Sequence, residues 1–274
     1  QTCALPISFV ELSPVDALQY GISNNNLIEI SNSLGRCVVR AKVTDGQPAG
    51  SLFMPIHWTA QFTSRGRVDS LIASVCDPIA GQPESKHCPV TIRKLEPLWQ
   101  GILITDQELT DLPCEYWCKV PTQKGFRYEL AGLELPENWQ DWLGKLVEIG
   151  DDRIELNSSA AFRLATFADQ QPELLFFAST TAVENKSLPN SSWLSKQFDQ
   201  TIGSAAQRMS LLAGKPVDNN DDCGAVICSC FEVGENTIRQ AISQGADSTD
   251  KLAEKLKCGS NCGSCLPEIR ALLT

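Results

Sequence analysis

Four cysteines near the end of the chain have a spacing that can hold metal. Cys228-Ser-Cys230 is followed, after 31 residues, by Cys262-Gly-Ser-Cys265. As thiolates, the four can bind one tetrahedral zinc ion or a two-iron, two-sulfide cluster in which each iron takes two of them. Structural zinc sites commonly use C-x2–4-C knuckles at both ends, whereas one pair here is C-x-C. The flanking loops are small: Ser260, Gly263 and Ser264 allow backbone N–H groups to approach bridging sulfides, which a single zinc ion does not need. The spacing leans towards iron and sulfide and leaves zinc open.

The elements that must position these thiols are short. ENTIRQAISQG reads as a helix with Ile238, Ala241 and Ile242 on one face and Gly245 as its stop. DSTDKLAEKLKCG reads as a second, capped by Asp247 or Ser248, with Leu252 and Leu256 as its apolar pair and Lys255 and Lys257 near its negative end. Pro267 opens a third in LPEIRALLT. Three such helices bury too little apolar surface to be secure alone, so a bound metal centre would supply stability. PVDNNDD, residues 216–222, is polar enough to be a linker.

Six of the 12 cysteines lie in the last 52 of 274 residues, a local cluster rather than a disulfide framework. With no secretory leader and no apolar stretch long enough to span a membrane, a reducing cytoplasm is the expected compartment. A formal charge of −10 argues against general nucleic-acid binding. The chain opens QTCALPIS without an initiator methionine, from which we expect a piece of a longer protein.

Residues 9–96 read as short strands between turns. LIEISNS, RCVVRAKV, SLFMPIHW and CPVTIRKL are the strands, and SPVDALQYGI is one helix with Ser13 as N-cap, Pro14 in the first turn and Gly21 after its end. Many short strands with a small helix point to a closed barrel. Residues 97–215 carry mixed signals. YWCKVP and FRYELAG pair around Gly125, ELLFFAS is a buried strand, and PENWQDWLGKL, SSWLSKQF and SAAQRMSLLAGKP are helical, the last stopped by Gly214 and Pro216. Cys114 and Cys118 have no partner ligands nearby in sequence and read as buried free thiols.

Two resemblances extend this reading. VICSCFEVGENTIRQAISQGADSTDKLAEKLKCGSNCGSCLPEIRALL resembles the bacterioferritin-associated-ferredoxin-like [2Fe–2S] domain, in the version that ends assimilatory nitrate reductases. It implies Cys228, Cys230, Cys262 and Cys265 as cluster ligands, and Cys223 and Cys258 as free thiols. The segment FVELSPVDAL through CPVTI resembles the molybdopterin-dinucleotide-binding domain of the molybdenum oxidoreductases, a double-psi β-barrel. It implies cofactor contacts at His57-Trp58, at Asp69 in the RVDSL loop, and at Ser85 and Lys86 beside Glu84. Asp69 stands where many relatives have asparagine, and Ile72 where threonine is frequent. Residues 97–215 resemble the region connecting these domains.

Together they imply an α+β multidomain chain: a barrel over 9–96, a mixed α/β region over 97–215 and a small all-α [2Fe–2S] domain over 223–274. The implied whole is a molybdenum-dependent assimilatory nitrate reductase carrying molybdopterin guanine dinucleotide, with a flavoprotein or ferredoxin-like electron donor. Its catalytic residues would lie outside this chain, which alone would reduce no nitrate. Two rivals stay open: another molybdopterin oxidoreductase such as a formate dehydrogenase, and a zinc-stabilised interaction module that is not an enzyme.

Overall fold

The computed structural model describes residues 8–56, 58–85, 87–180, 188–215, 224, 226–228, 231, 233–260, 263, 265–273. The first 96 residues build a five-stranded sheet from β1 (Phe9–Leu12), β2 (Leu27–Ser31), β3 (Arg36–Val43), β4 (Leu52–Phe53) and β5 (Thr91–Lys94), in the order β4-β1-β3-β2-β5. Only β1 and β3 run parallel, which requires the crossover made by α1 (Pro14–Gln19) and β2. The α1 helix starts where expected. Ser13 accepts from the Asp16 backbone N–H, Pro14 opens the first turn, and Gly21 follows the helix at a φ of 62°. Val10, Leu12, Ile28, Ile30, Val39 and Leu71 form the core of this unit.

SLFMPIHW differs from the expected full strand: among its described residues, only Leu52 and Phe53 pair, against Leu12 and Glu11. Pro55 has no N–H to continue the ladder, and β4 is an edge with no second neighbour to hold it.

Residues 97–180 form a second, six-stranded antiparallel sheet in the order β7-β8-β6-β11-β10-β9. Its strands are β6 (Trp99–Thr105), β7 (Tyr116–Pro121), β8 (Phe126–Gly132), β9 (Arg153–Asn157), β10 (Ala161–Ala168) and β11 (Gln171–Ser179). Successive side chains alternate between faces, and here both faces are covered. Trp99, Leu103, Leu174 and Phe176 pack with α2 (Trp139–Gly144) through Trp142 and Leu143. Ile102, Ile104, Leu175 and Phe177 pack with α3 (Ser191–Phe198) and α4 (Ala205–Ala213) through Trp193, Leu194, Phe198 and Leu211. Double burial explains the unbroken apolar run ELLFFAS, and Trp99, Tyr128, Phe162, Phe176 and Phe177 are core residues of this sheet. The α4 helix ends on Gly214 in the left-handed conformation, as read from sequence.

The two sheets share a seam. Leu27, Val38, Trp58 and Leu95 from the first region pack on Tyr116, Cys118 and Ala131 of the second. Residues 62–65 thread between them: Lys119 N–H donates to the Phe62 carbonyl at 2.7 Å, and Val38 N–H to the Arg65 carbonyl at 2.8 Å. Arg40 crosses the seam to Glu129 at 3.3 Å and to Gln100.

The last unit contains α5 (Glu235–Ser243), α6 (Thr249–Leu256) and α7 (Leu266–Leu272). Ser248, one of two expected caps, accepts from Lys251 N–H. Beyond the expected helices, β12 (Val226–Cys228) and β13 (Val233–Gly234) form a short antiparallel ladder, too brief to announce itself by alternation. The expected linker 216–222 lies outside the described residues. No helix among the described residues is long and apolar enough to cross a membrane.

Candidate cluster site and dinucleotide-facing loops

Cys228 closes β12 and Cys265 immediately precedes α7, and both are buried. They share an apolar cluster with Val233, Ile238, Leu252 and Ile269, and also with Cys258. The thiols of Cys228 and Cys265 are hydrogen-bond neighbours. Burial first, and then that neighbour, push Cys265 up to about 11. Burial and Cys228 raise Cys258 as well, whose Sγ donates to the Leu252 carbonyl at 3.7 Å. Cys230 and Cys262 lie outside the described residues, as does Cys223. The two described ligand candidates are therefore brought together, with Cys258 in the same buried cluster, and the described residues alone hold no group of three metal-ligating side chains.

Backbone conformation explains the glycines around them. Lys257, Gly259 and Gly263 all have positive φ, at 59°, 79° and 72°. Gly259 takes a φ that L side chains rarely adopt, and a Cβ there would also press on the tip of Leu266 at 2.7 Å, so the turn towards α7 favours glycine. Ser260 turns its hydroxyl to the Lys257 carbonyl at 2.6 Å. Two buried, mutually close thiols, one closing β12 and one following a small-residue loop, fit a cationic metal centre. Its charge favours the thiolate form that burial alone disfavours.

The residues expected at the dinucleotide are placed differently from one another. Trp58 is 7% exposed and packs in the seam between the sheets. Asp69 is exposed in a 3-10 turn, Val68–Leu71, and takes a bidentate pair from Arg67 at 3.1 and 2.9 Å. That hydrogen bonding holds its carboxyl below the usual range. Ser85 is exposed at the end of an exposed loop, residues 73–85, folded by Asp77 accepting from the Ile79 and Ala80 N–H groups. His57 and Lys86 lie outside the described residues. The sequence reading missed Arg67; its only signal was its place beside Asp69 in RVDSL.

Residues 3–89 match the family described as the molydopterin dinucleotide binding domain, and residues 226–274 match the BFD-like [2Fe-2S] binding domain. The chain is 35% identical to a nitrate reductase of Klebsiella oxytoca over 96% of its own length and 30% of that protein. It is 24% identical to a nitrate reductase of Shewanella frigidimarina, over 85% of this chain and 25% of the relative. A third relative, F420-dependent formate dehydrogenase 1 subunit alpha of Methanococcus maripaludis, is 33% identical over 32% of this chain and 12% of its own. The chain spans less than a third of the length of the nitrate reductases it matches.

Proposed function

We propose that this chain, which carries a molydopterin dinucleotide binding domain and a BFD-like [2Fe–2S] binding domain, is part of a molybdenum-dependent assimilatory nitrate reductase. The carrying observation is the similarity to a nitrate reductase along 96% of the chain, through both domains and the sheet between them. A [2Fe–2S] cluster bound here would pass single electrons from a flavoprotein or ferredoxin-like donor towards the molybdenum. The chain's own part is to hold and shield it. Cys228, Cys230, Cys262 and Cys265 are the proposed ligands, and Ile238, Leu252 and Ile269 exclude water around the described pair.

In the first region, the match of residues 3–89 to a molydopterin dinucleotide binding domain supports a double-psi barrel over residues 9–96, although the described strands pair as an open sheet with β4 and β5 at its edges rather than as the closed barrel expected from sequence. Its exposed polar groups have the right chemistry for a guanine dinucleotide. Asp69, kept ionised by Arg67, can accept from guanine N–H groups, and Ser85 can donate to phosphate, with His57 and Lys86 completing the set. Trp58 supports the site from the seam. Residues 97–215 would join the barrel to the cluster domain over 223–274, which is not all-α as expected, since the β12–β13 ladder accompanies its helices. A reducing cytoplasm suits the buried thiols Cys37, Cys118 and Cys258.

The test is anaerobic purification of the whole gene product that contains this chain, from cells supplied with molybdate. We expect nitrite from nitrate with a reduced dye, together with molybdenum, iron and acid-labile sulfide. Formate-dependent dye reduction without nitrite formation would favour the second reading, which the formate dehydrogenase similarity supports over 32% of the chain. Zinc without sulfide would remove the electron-transfer role.

A further inference from the structure

The 3-10 turn Val68–Leu71 displays Arg67 and Asp69 to solvent, yet its two end carbonyls are held from behind. Cys37, fully buried on β3, donates its S–H to the Arg67 carbonyl at 2.8 Å and lies 3.5 Å from Ser70 Oγ. At the other end, the Leu71 carbonyl accepts from Cys88 Sγ at 2.8 Å and from Asn32 Nδ2 at 2.7 Å. Asn32 Nδ2 also reaches Cys88 Sγ at 3.3 Å. Gly35 completes the seat: a Cβ there would stand 2.6 Å from the Ser70 carbonyl oxygen.

We propose that Asn32, Cys37 and Cys88 are positioning residues that set the turn bearing Asp69 for dinucleotide binding, acting as hydrogen-bond donors from the rigid first sheet. The inference rests on the proposed function. Its physical basis is that a ten-degree swing of an exposed turn moves a carboxylate off a guanine edge, while a turn tied at both carbonyls cannot swing. Asn32 follows β2, Cys37 is on β3 and Cys88 precedes β5, so three neighbouring strands of one sheet converge on the turn. Burial raises the Cys37 thiol and keeps its donor proton on sulfur. A 3-10 turn has weak internal hydrogen bonds and gains from outside donors.

The experiment uses the whole gene product and counts guanosine monophosphate released by acid hydrolysis per molybdenum bound, before and after prolonged dilution. Cys37→Val keeps bulk without a donor, and Cys37→Ser keeps a donor. Asn32→Asp keeps the acceptor for the Leu34 and Gly35 N–H groups but turns a second oxygen to the Leu71 carbonyl. Loss of one such bond is worth roughly fivefold in an equilibrium. We expect roughly fivefold faster loss of dinucleotide in Cys37→Val and Asn32→Asp, with Cys37→Ser close to wild type and cluster iron unchanged in all three. Equal retention in all variants, or a serine variant as weak as the valine one, overturns the inference while the functional reading stands. A wild-type protein that releases no guanosine monophosphate overturns both.

Discussion

Cys258 occupies the same apolar pocket as Cys228 and Cys265, yet its S–H is directed to the Leu252 carbonyl, as in a packed thiol. Serine at any of positions 228, 230, 262 or 265 should therefore abolish or strongly perturb the cluster, whereas Cys258→Ala should keep full iron and sulfide. Iron, sulfide and reduced-state EPR measure this; a signal lost in Cys258→Ala and kept in Cys262→Ser would reverse the assignment. Away from the pocket, Cys118 is fully buried in the seam, and burial pushes it up to about 12. A thiol raised in the folded state stabilises fully below its ordinary value of 9.0, and that contribution is lost as pH climbs from there to about 12. Urea midpoints of wild type and Cys118→Ala should thus converge with rising pH in that window. A constant gap between the two curves would show that Cys118 does not titrate there.

Among the elements, α6 and α7 flank the loop of the proposed ligands Cys262 and Cys265 and pack with α5 in one small core. Ser248→Ala removes the side chain that accepts from Lys251 N–H and should cost about 1 kcal/mol in the terminal unit. Chelating the metal should lower helical circular dichroism and expose residues 226–273 to protease, because the helices around Ile238, Leu252 and Ile269 share only a small core. The six-stranded sheet should resist protease in the same sample, being packed on both faces. Equal proteolysis of both regions after chelation would show that the terminal unit does not depend on metal.

At the scale of the whole molecule, the Arg40–Glu129 pair joins the two sheets at a site where each side chain is nearly out of solvent, 12% and 14% exposed. Burial works against the Arg40 charge, and Glu129, Tyr116 and Cys118 together outweigh that and raise it. Glu129→Ala should destabilise by about 3–5 kcal/mol, since it strands a buried guanidinium, and Arg40→Met in the same background should recover much of the loss. Denaturant titration checks this; additive losses would mean the pair is not coupled. The pair also marks the limit of what the sequence could tell. Local signals sufficed for α1, with Ser13, Pro14 and Gly21 in place, for the β7–β8 hairpin and for Gly214, and the C-x-C and C-x2-C spacing narrowed the proposed metal centre to iron–sulfide or zinc. Each of these depends on residues within a few positions of one another, or on ligand chemistry that permits few alternatives. Tertiary structure decided the rest: that SLFMPIHW pairs for only two residues, that Trp58 lies in a seam, that residues 62–65 thread between two sheets, and that Asn32, Cys37 and Cys88 meet behind one turn. Those facts depend on strands 30 to 60 residues apart becoming neighbours, and strand order leaves no mark on the periodicity of any one segment.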